Sequence, residues 1–219
     1  MDNIIHLLTT KIPRPQAYHD FADKRFFLGI PNGLNIFSNL AIALPAFYLI
    51  SKEKKLSFLS INILLLAITS AYYHIEPSHK TIFLDMIFLV SVNTVIFSYF
   101  VNKEVGILVY MLGILSVFYW KKYDDIRLYE FLKISIPIYG IYMIHKNPKV
   151  SGYIFPIVIL SLLIRYTTSN DKEIYKLTNE TISGHTLKHI LAGIDIYLVI
   201  IVLQKLGKFN LKICKSLHT

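Results

Sequence analysis

SGHTLKHILAGIDIYLVIIVLQKL, residues 183–206, sets the class of this molecule. From Ile190 to Leu203 it contains one acid, Asp195, and otherwise only apolar or small side chains and a tyrosine. A helix over 185–206 is about 33 Å long at 1.5 Å per residue, enough to cross a bilayer's hydrocarbon core. Two histidines, His185 and His189, open this span four residues apart and therefore share one helix face. Ionisable groups in a span are costly to place there, so the pair is read as functional.

Working back toward the N-terminus, six more apolar runs read as spans, at about 34–50, 56–74, 81–101, 105–120, 128–145 and 150–166. The turn-rich stretch Gly29-Ile-Pro-Asn-Gly33 precedes the first, and Glu76-Pro-Ser78 closes the second. The fifth is less clean because it holds Glu130, Lys133 and Pro137. The sixth is expected to kink at Pro156, and a polar connector, 167–184, leads into the last. The expected fold is thus an all-α membrane protein, a seven-transmembrane-helix bundle with a zinc site near one membrane face. Residues 1–32 read as an extramembrane segment, 33–206 as the helical domain and 207–219 as a basic tail.

Composition agrees. Of 219 residues, 54% are hydrophobic and 17% charged, and the mean hydropathy is +0.49. The net charge of +9 resides mostly in loops and tails, where it meets lipid headgroups and sets topology; the expected partner is the lipid bilayer, with no nucleic acid. The only cysteine, Cys214, excludes an intrachain disulfide and a CxxC metal motif, so a metal must be held by nitrogen and oxygen. The patch Ile4-Ile-His-Leu-Leu8 is too short and lacks the basic flank of a cleavable signal, which leaves the first span as the insertion signal.

Five polar residues belong together in this frame: Ser70, His74, Asp85, His185 and His189. With seven crossings, the end of the second span and the starts of the third and seventh lie at one face. Ser70 and His74 are four apart, hence on one side of their helix. Three neutral imidazoles bind Zn²⁺ and leave a fourth position for water, whose pKa falls toward about 7. Asp85 could take that water's proton or orient a histidine, and Ser70 could donate to an oxyanion.

Ser70-Ala-Tyr-Tyr-His74, Asp85 eleven residues on, and Ser183-Gly-His-Thr-Leu-Lys-His189 resemble the alkaline ceramidase family, which sits in a larger superfamily of seven-span membrane hydrolases that includes the adiponectin receptors. Asp20-Phe-Ala-Asp23 and Asn35-Ile-Phe-Ser-Asn39 add to the resemblance, which covers about residues 18–200 and is nearest the bacterial ceramidase-like branch. It implies Zn²⁺ on His74, His185 and His189, water activation by Asp85, help from Ser70, and hydrolysis of the ceramide amide to a long-chain base and a fatty acid. It also implies Ca²⁺ near Asp20 and Asp23, although Arg25 and Asn32 depart from the family's oxygen-rich pattern. The alternatives are a lipid receptor or sensor with a structural zinc, and an esterase or phospholipase.

Other residues have plainer expectations. Asp195, about 15 Å along the helix from His185, pairs with a neighbouring helix or handles a polar group. Lys188 snorkels to headgroups. Asn35 and Asn39 bond between helices, and His79 is a reserve ligand. The Lys-rich C-terminus favours a cytoplasmic end, which puts the N-terminus and metal site on the periplasmic or lumenal face, in a bacterial inner membrane or an ER/Golgi-type membrane.

Overall fold

A computed structural model describes residues 10–209. The Ile4–Leu8 patch, His218, Cys214 and the tail beyond 209 lie outside the described residues. The helices are α1 Gly33–Phe37, α2 Asn39–Glu53, α3 Phe58–Ile75, α4 Ile82–Ser98, α5 Lys103–Tyr123, α6 Arg127–His145, α7 Ile154–Ser169, α8 Asp171–Leu177 and α9 Gly184–Lys205. Among the described residues the only β pairing is an isolated bridge between Phe27 and Ile30.

Helix starts follow local chemistry. Ser57 and Ser60 form a reciprocal capping box at α3, Asn102 caps α5 through Val105 N–H, and Ser183 caps α9 through Thr186 N–H, each satisfying an amide with no partner inside the helix. The turn before α1 needs left-handed backbone at Leu28, Gly29 and Asn32, which breaks the chain sharply ahead of the first span. Pro156 does not kink its helix as expected. It is the third residue of α7, where an amide needs no helical partner. The connector before α9 is not all loop either: it folds α8, a short polar helix without an apolar stripe to announce it.

Among the described residues, five helical segments are long and apolar enough to cross a membrane: Gly33–Glu53, which joins α1 to α2, Phe58–Ile75, Lys103–Tyr123, Ser151–Ser169 and Gly184–Lys205. Two of the seven expected spans fall short of that standard. Ile82–Ser98 is apolar but has only 17 residues. Arg127–His145 has the length but carries Arg127, Glu130 and Lys133, of which the last two form an ion pair at 2.6 Å. The large side chains that face outward, among them Leu44, Phe47, Leu108, Phe118, Phe155 and Leu162, suit lipid rather than water.

The helices close into a ring. α9 packs between α2 and α7, α2 on α3, α3 on α4, α4 on α5 and α6, and α6 on α7. Ile42, Ala46, Leu49, Leu59, Ile63, Ile200 and Leu203 form one core cluster, and Phe21, Tyr73, Met86, Val117, Trp120 and Tyr129 another. At Gly193 the α9 backbone comes so close to α2 that a Cβ would strike the Ala41 carbonyl. This is the small-residue contact by which helices associate in lipid, where burial drives little.

Residues 10–32 run as a strap across one end of this ring. Arg14 is buried, its guanidinium 4.2 Å from the Tyr18 ring and 3.7 Å from Glu130, and Ile12 accepts from Ile126 N–H at 2.9 Å. His19 is central: Nδ1 lies 2.7 Å from Tyr73 Oη, Nε2 2.7 Å from His79 Nδ1, and His79 Nε2 3.2 Å from the Arg14 carbonyl. A carbonyl only accepts, so with both rings neutral His79 donates to Arg14, His19 donates to His79, and Tyr73 donates to His19. His79 is thus committed to the strap rather than to the metal group.

Burial holds the His19 pKa down to about 4, helped by His79 and Arg14. Because the unfolded value is about 6.5, stability from a neutral His19 is complete above that pH and is lost on descent to about 4, by on the order of 3 kcal/mol. Trp120, the only tryptophan, lies 5.7 Å from the His79 ring. Its emission should therefore change between pH 6.5 and 4 in the native sequence, and less so in His19→Gln. Identical profiles for the two proteins contradict the assignment.

Candidate metal centre

The strap, α1, the C-terminal turns of α3 and the first turns of α9 converge on three buried histidines. One nitrogen each from His74, His185 and His189 lies within 4.8 Å of the others. His74 closes α3, with its backbone carbonyl accepting from Asn32 Nδ2 at 3.0 Å. His185 and His189 share one face of α9. That helix begins where it does because Ser183 caps it and because Gly184 has no Cβ to strike the Thr167 carbonyl or Asp171. Asp171 then accepts from His185 N–H at 2.7 Å and from Ala22 N–H at 2.8 Å, tying α9 to the strap. Asn35 fastens the other side. Its Oδ1 accepts from Ser183 Oγ and Thr186 Oγ1, and its Nδ2 donates to the Asp23 carbonyl.

The donor set fits a metal ion. His74 Nε2 and His185 Nε2 are 3.3 Å apart, and two nitrogens on a tetrahedral zinc with bonds of about 2.0–2.1 Å are separated by about 3.3–3.4 Å. His189 presents Nε2 by necessity. Ser38 Oγ has one proton and gives it to the Asn35 carbonyl at 2.9 Å, so the 2.7 Å contact with His189 Nδ1 must be a bond donated by the ring. That leaves the His189 Nε2 lone pair free, and this atom is buried without a hydrogen-bond partner. Such an orphan costs about 1–3 kcal/mol unless something binds it. Phe21 walls the group, its ring 4.3 Å from His185 and 4.7 Å from His74. Beside it a cleft lined by Ala17, Tyr18, Phe21, Thr168, Asp171 and His185 opens toward solvent.

Ser70 and Asp85 lie near each other, their side chains close enough to interact across α3 and α4. No carboxylate joins the three-nitrogen group among the described residues. Asp20 and Asp23 are held by cations. Asp20 pairs with Lys24 at 2.6 Å and Lys172 at 2.5 Å, and hydrogen bonds from Lys172 and Lys24 pull its carboxyl down to about 2. Burial raises the Asp23 carboxyl, but two bonds from the Arg25 side chain outweigh it and hold it below the usual range. Neither belongs to a group of ligating side chains among the described residues.

Sequence reasoning missed Ser38, Asp171, Phe21 and the direction of Lys188. Ser38 sits in the Asn35–Asn39 stretch, and its position one turn from Asn35 was the available signal. Asn35 bonds between elements as expected, whereas Asn39 donates to carbonyls of its own turn, Asn35 and Ile36. Asp195 has a buried oxygen, Oδ1, without a hydrogen-bond partner. No protein-family model and no curated protein matches this chain.

Proposed function

We propose that this protein is a seven-span membrane hydrolase that uses zinc to cleave the amide bond of ceramide-like lipids, releasing a long-chain base and a fatty acid. The observation that carries the reading is the group of three buried imidazoles with one tautomer fixed by Ser38. Nitrogen-only donors of this number favour zinc with an open position. Zinc held by His74, His185 and His189 would polarise a carbonyl and make water acidic enough to attack at neutral pH.

The chain's own residues do the rest. Asp85, with Ser70 beside it, accepts the proton that water gives up and returns it to the departing nitrogen. Ser38 keeps His189 in the tautomer that ligates. Phe21 shields the histidine edges from bulk water. In this reading Ile82–Ser98 and Arg127–His145 also cross, the second with its charges paired inward, and the centre lies toward the periplasmic or lumenal side.

Purified protein with bound zinc should release fatty acid from a labelled ceramide, and removing the metal should stop it. Full zinc occupancy with no release overturns the amidase and leaves a lipid sensor. Preferential cleavage of the matching ester makes it an esterase.

A further inference from the structure

Lys188, expected to reach out to headgroups, also brings its ammonium to a ring of the metal group. It lies on α9 three residues after His185 and folds back, so that Nζ stands 3.4 Å from Nε2 of His185. The side chain is half-buried, and none of the ion pairs among the described residues involves it. The atom it meets, His185 Nε2, belongs to the three-nitrogen group, 3.3 Å from His74 Nε2, so the ammonium faces the site directly.

A positive charge against three imidazoles is an awkward neighbour for a divalent cation held by the same rings. The repulsion is relieved if a negative group faces both charges at once. Hydrolysis of an amide makes such a group twice. Water oxygen adds to the carbonyl carbon as the C=O electron pair moves onto oxygen. The C–N bond then breaks as a proton passes to nitrogen, and the products are an amine and a carboxylate.

We propose that Lys188 is the anion anchor of this centre: it contacts the oxygen that carries the carbonyl's negative charge as the amide is opened, and it holds the carboxylate product in preference to a neutral alcohol of the same length. The proposal rests on the reading of the centre as a metal hydrolase and adds a catalytic residue to it. Lysine as a strongly hydrated point charge suits a single oxygen, and arginine should serve in its place with some loss of fit.

The test is binding, not turnover. The full chain in detergent is loaded with Co²⁺, whose visible spectrum reports its ligands, and titrated with decanoate, with decanol as the neutral control. The native protein should bind decanoate with a spectral change and ignore decanol. Lys188→Met should weaken decanoate by roughly 10–100-fold, the value of one charge-assisted hydrogen bond, with Co²⁺ affinity kept or raised. Lys188→Arg should restore most of the decanoate affinity. Helix content by circular dichroism is the check on folding. Equal decanoate affinity in the native and Lys188→Met proteins overturns the proposal. So does loss of Co²⁺ affinity in Lys188→Met at native helix content, which would make the lysine a metal ligand. Failure of the native chain to take up Co²⁺ overturns the metal centre itself, and the anchor with it.

Discussion

His185→Ala should lower zinc affinity by ~100-fold or more and reduce lipid hydrolysis in proportion to the metal lost. A complete zinc site is worth about 10–16 kcal/mol, so one ligand of three or four accounts for on the order of 3 kcal/mol, or at least ~100-fold. The fold should survive. His185 is the second residue of α9, and the Ser183 cap, the Asn35 bonds and the Asp171 bond to the backbone N–H do not use the imidazole. Metal content per chain, helix content and turnover are the measurements. Added imidazole should enter the space left beneath Phe21 and restore part of the metal. If zinc content and activity both stay at the native level in His185→Ala, the centre is assigned to the wrong residues.

Gly193→Leu should damage the protein more broadly while touching no ligand. The Ala41 carbonyl occupies the place a side chain would need, so α9 must move off α2, at a cost of about 1–3 kcal/mol or more for the overpacked contact. His189 lies one turn before Gly193, about 6 Å along the helix, and its bond to Ser38 at the start of α2 cannot survive much displacement. Thermal unfolding in detergent should come earlier, and zinc affinity should fall by ~10-fold or more, as when a ligand's outer partner is lost. Unchanged melting and unchanged zinc binding would mean that α9 and α2 do not press together at this glycine.

Much of this was legible from the chain. Apolar runs bounded by Asn102, Ser57 and Ser183 mark helices to within a few residues, because a span must be apolar and its first amides need caps. The three histidines were legible because a bilayer makes each of them anomalous and helical spacing aims them. Ser38, Asp171 and Phe21 were not, since their significance comes from partners on other elements, His189 for Ser38, Ala22 and His185 for Asp171, His74 and His185 for Phe21. Hydroxyls, acids and aromatics at a membrane face are ordinary in themselves. Lys188 shows the limit from the other side. Its sequence position fits snorkelling equally well, and only the direction of a flexible stem separates the two.

The carboxylate of Asp171 joins two amides from opposite ends of the chain, those of Ala22 and His185. Translation delivers them far apart in time: the strap is made early, and the helix with two of the three histidines follows much later. Until then Phe21 has Tyr73 and His74 to settle on, but the three-nitrogen group has only one member. A metal ion held by all three imidazoles would thus be acquired only after α9 has been made, and a product that stopped short of α9 would offer it one ring of the three. Occupancy of the group would then record that synthesis had passed from the strap through to α9.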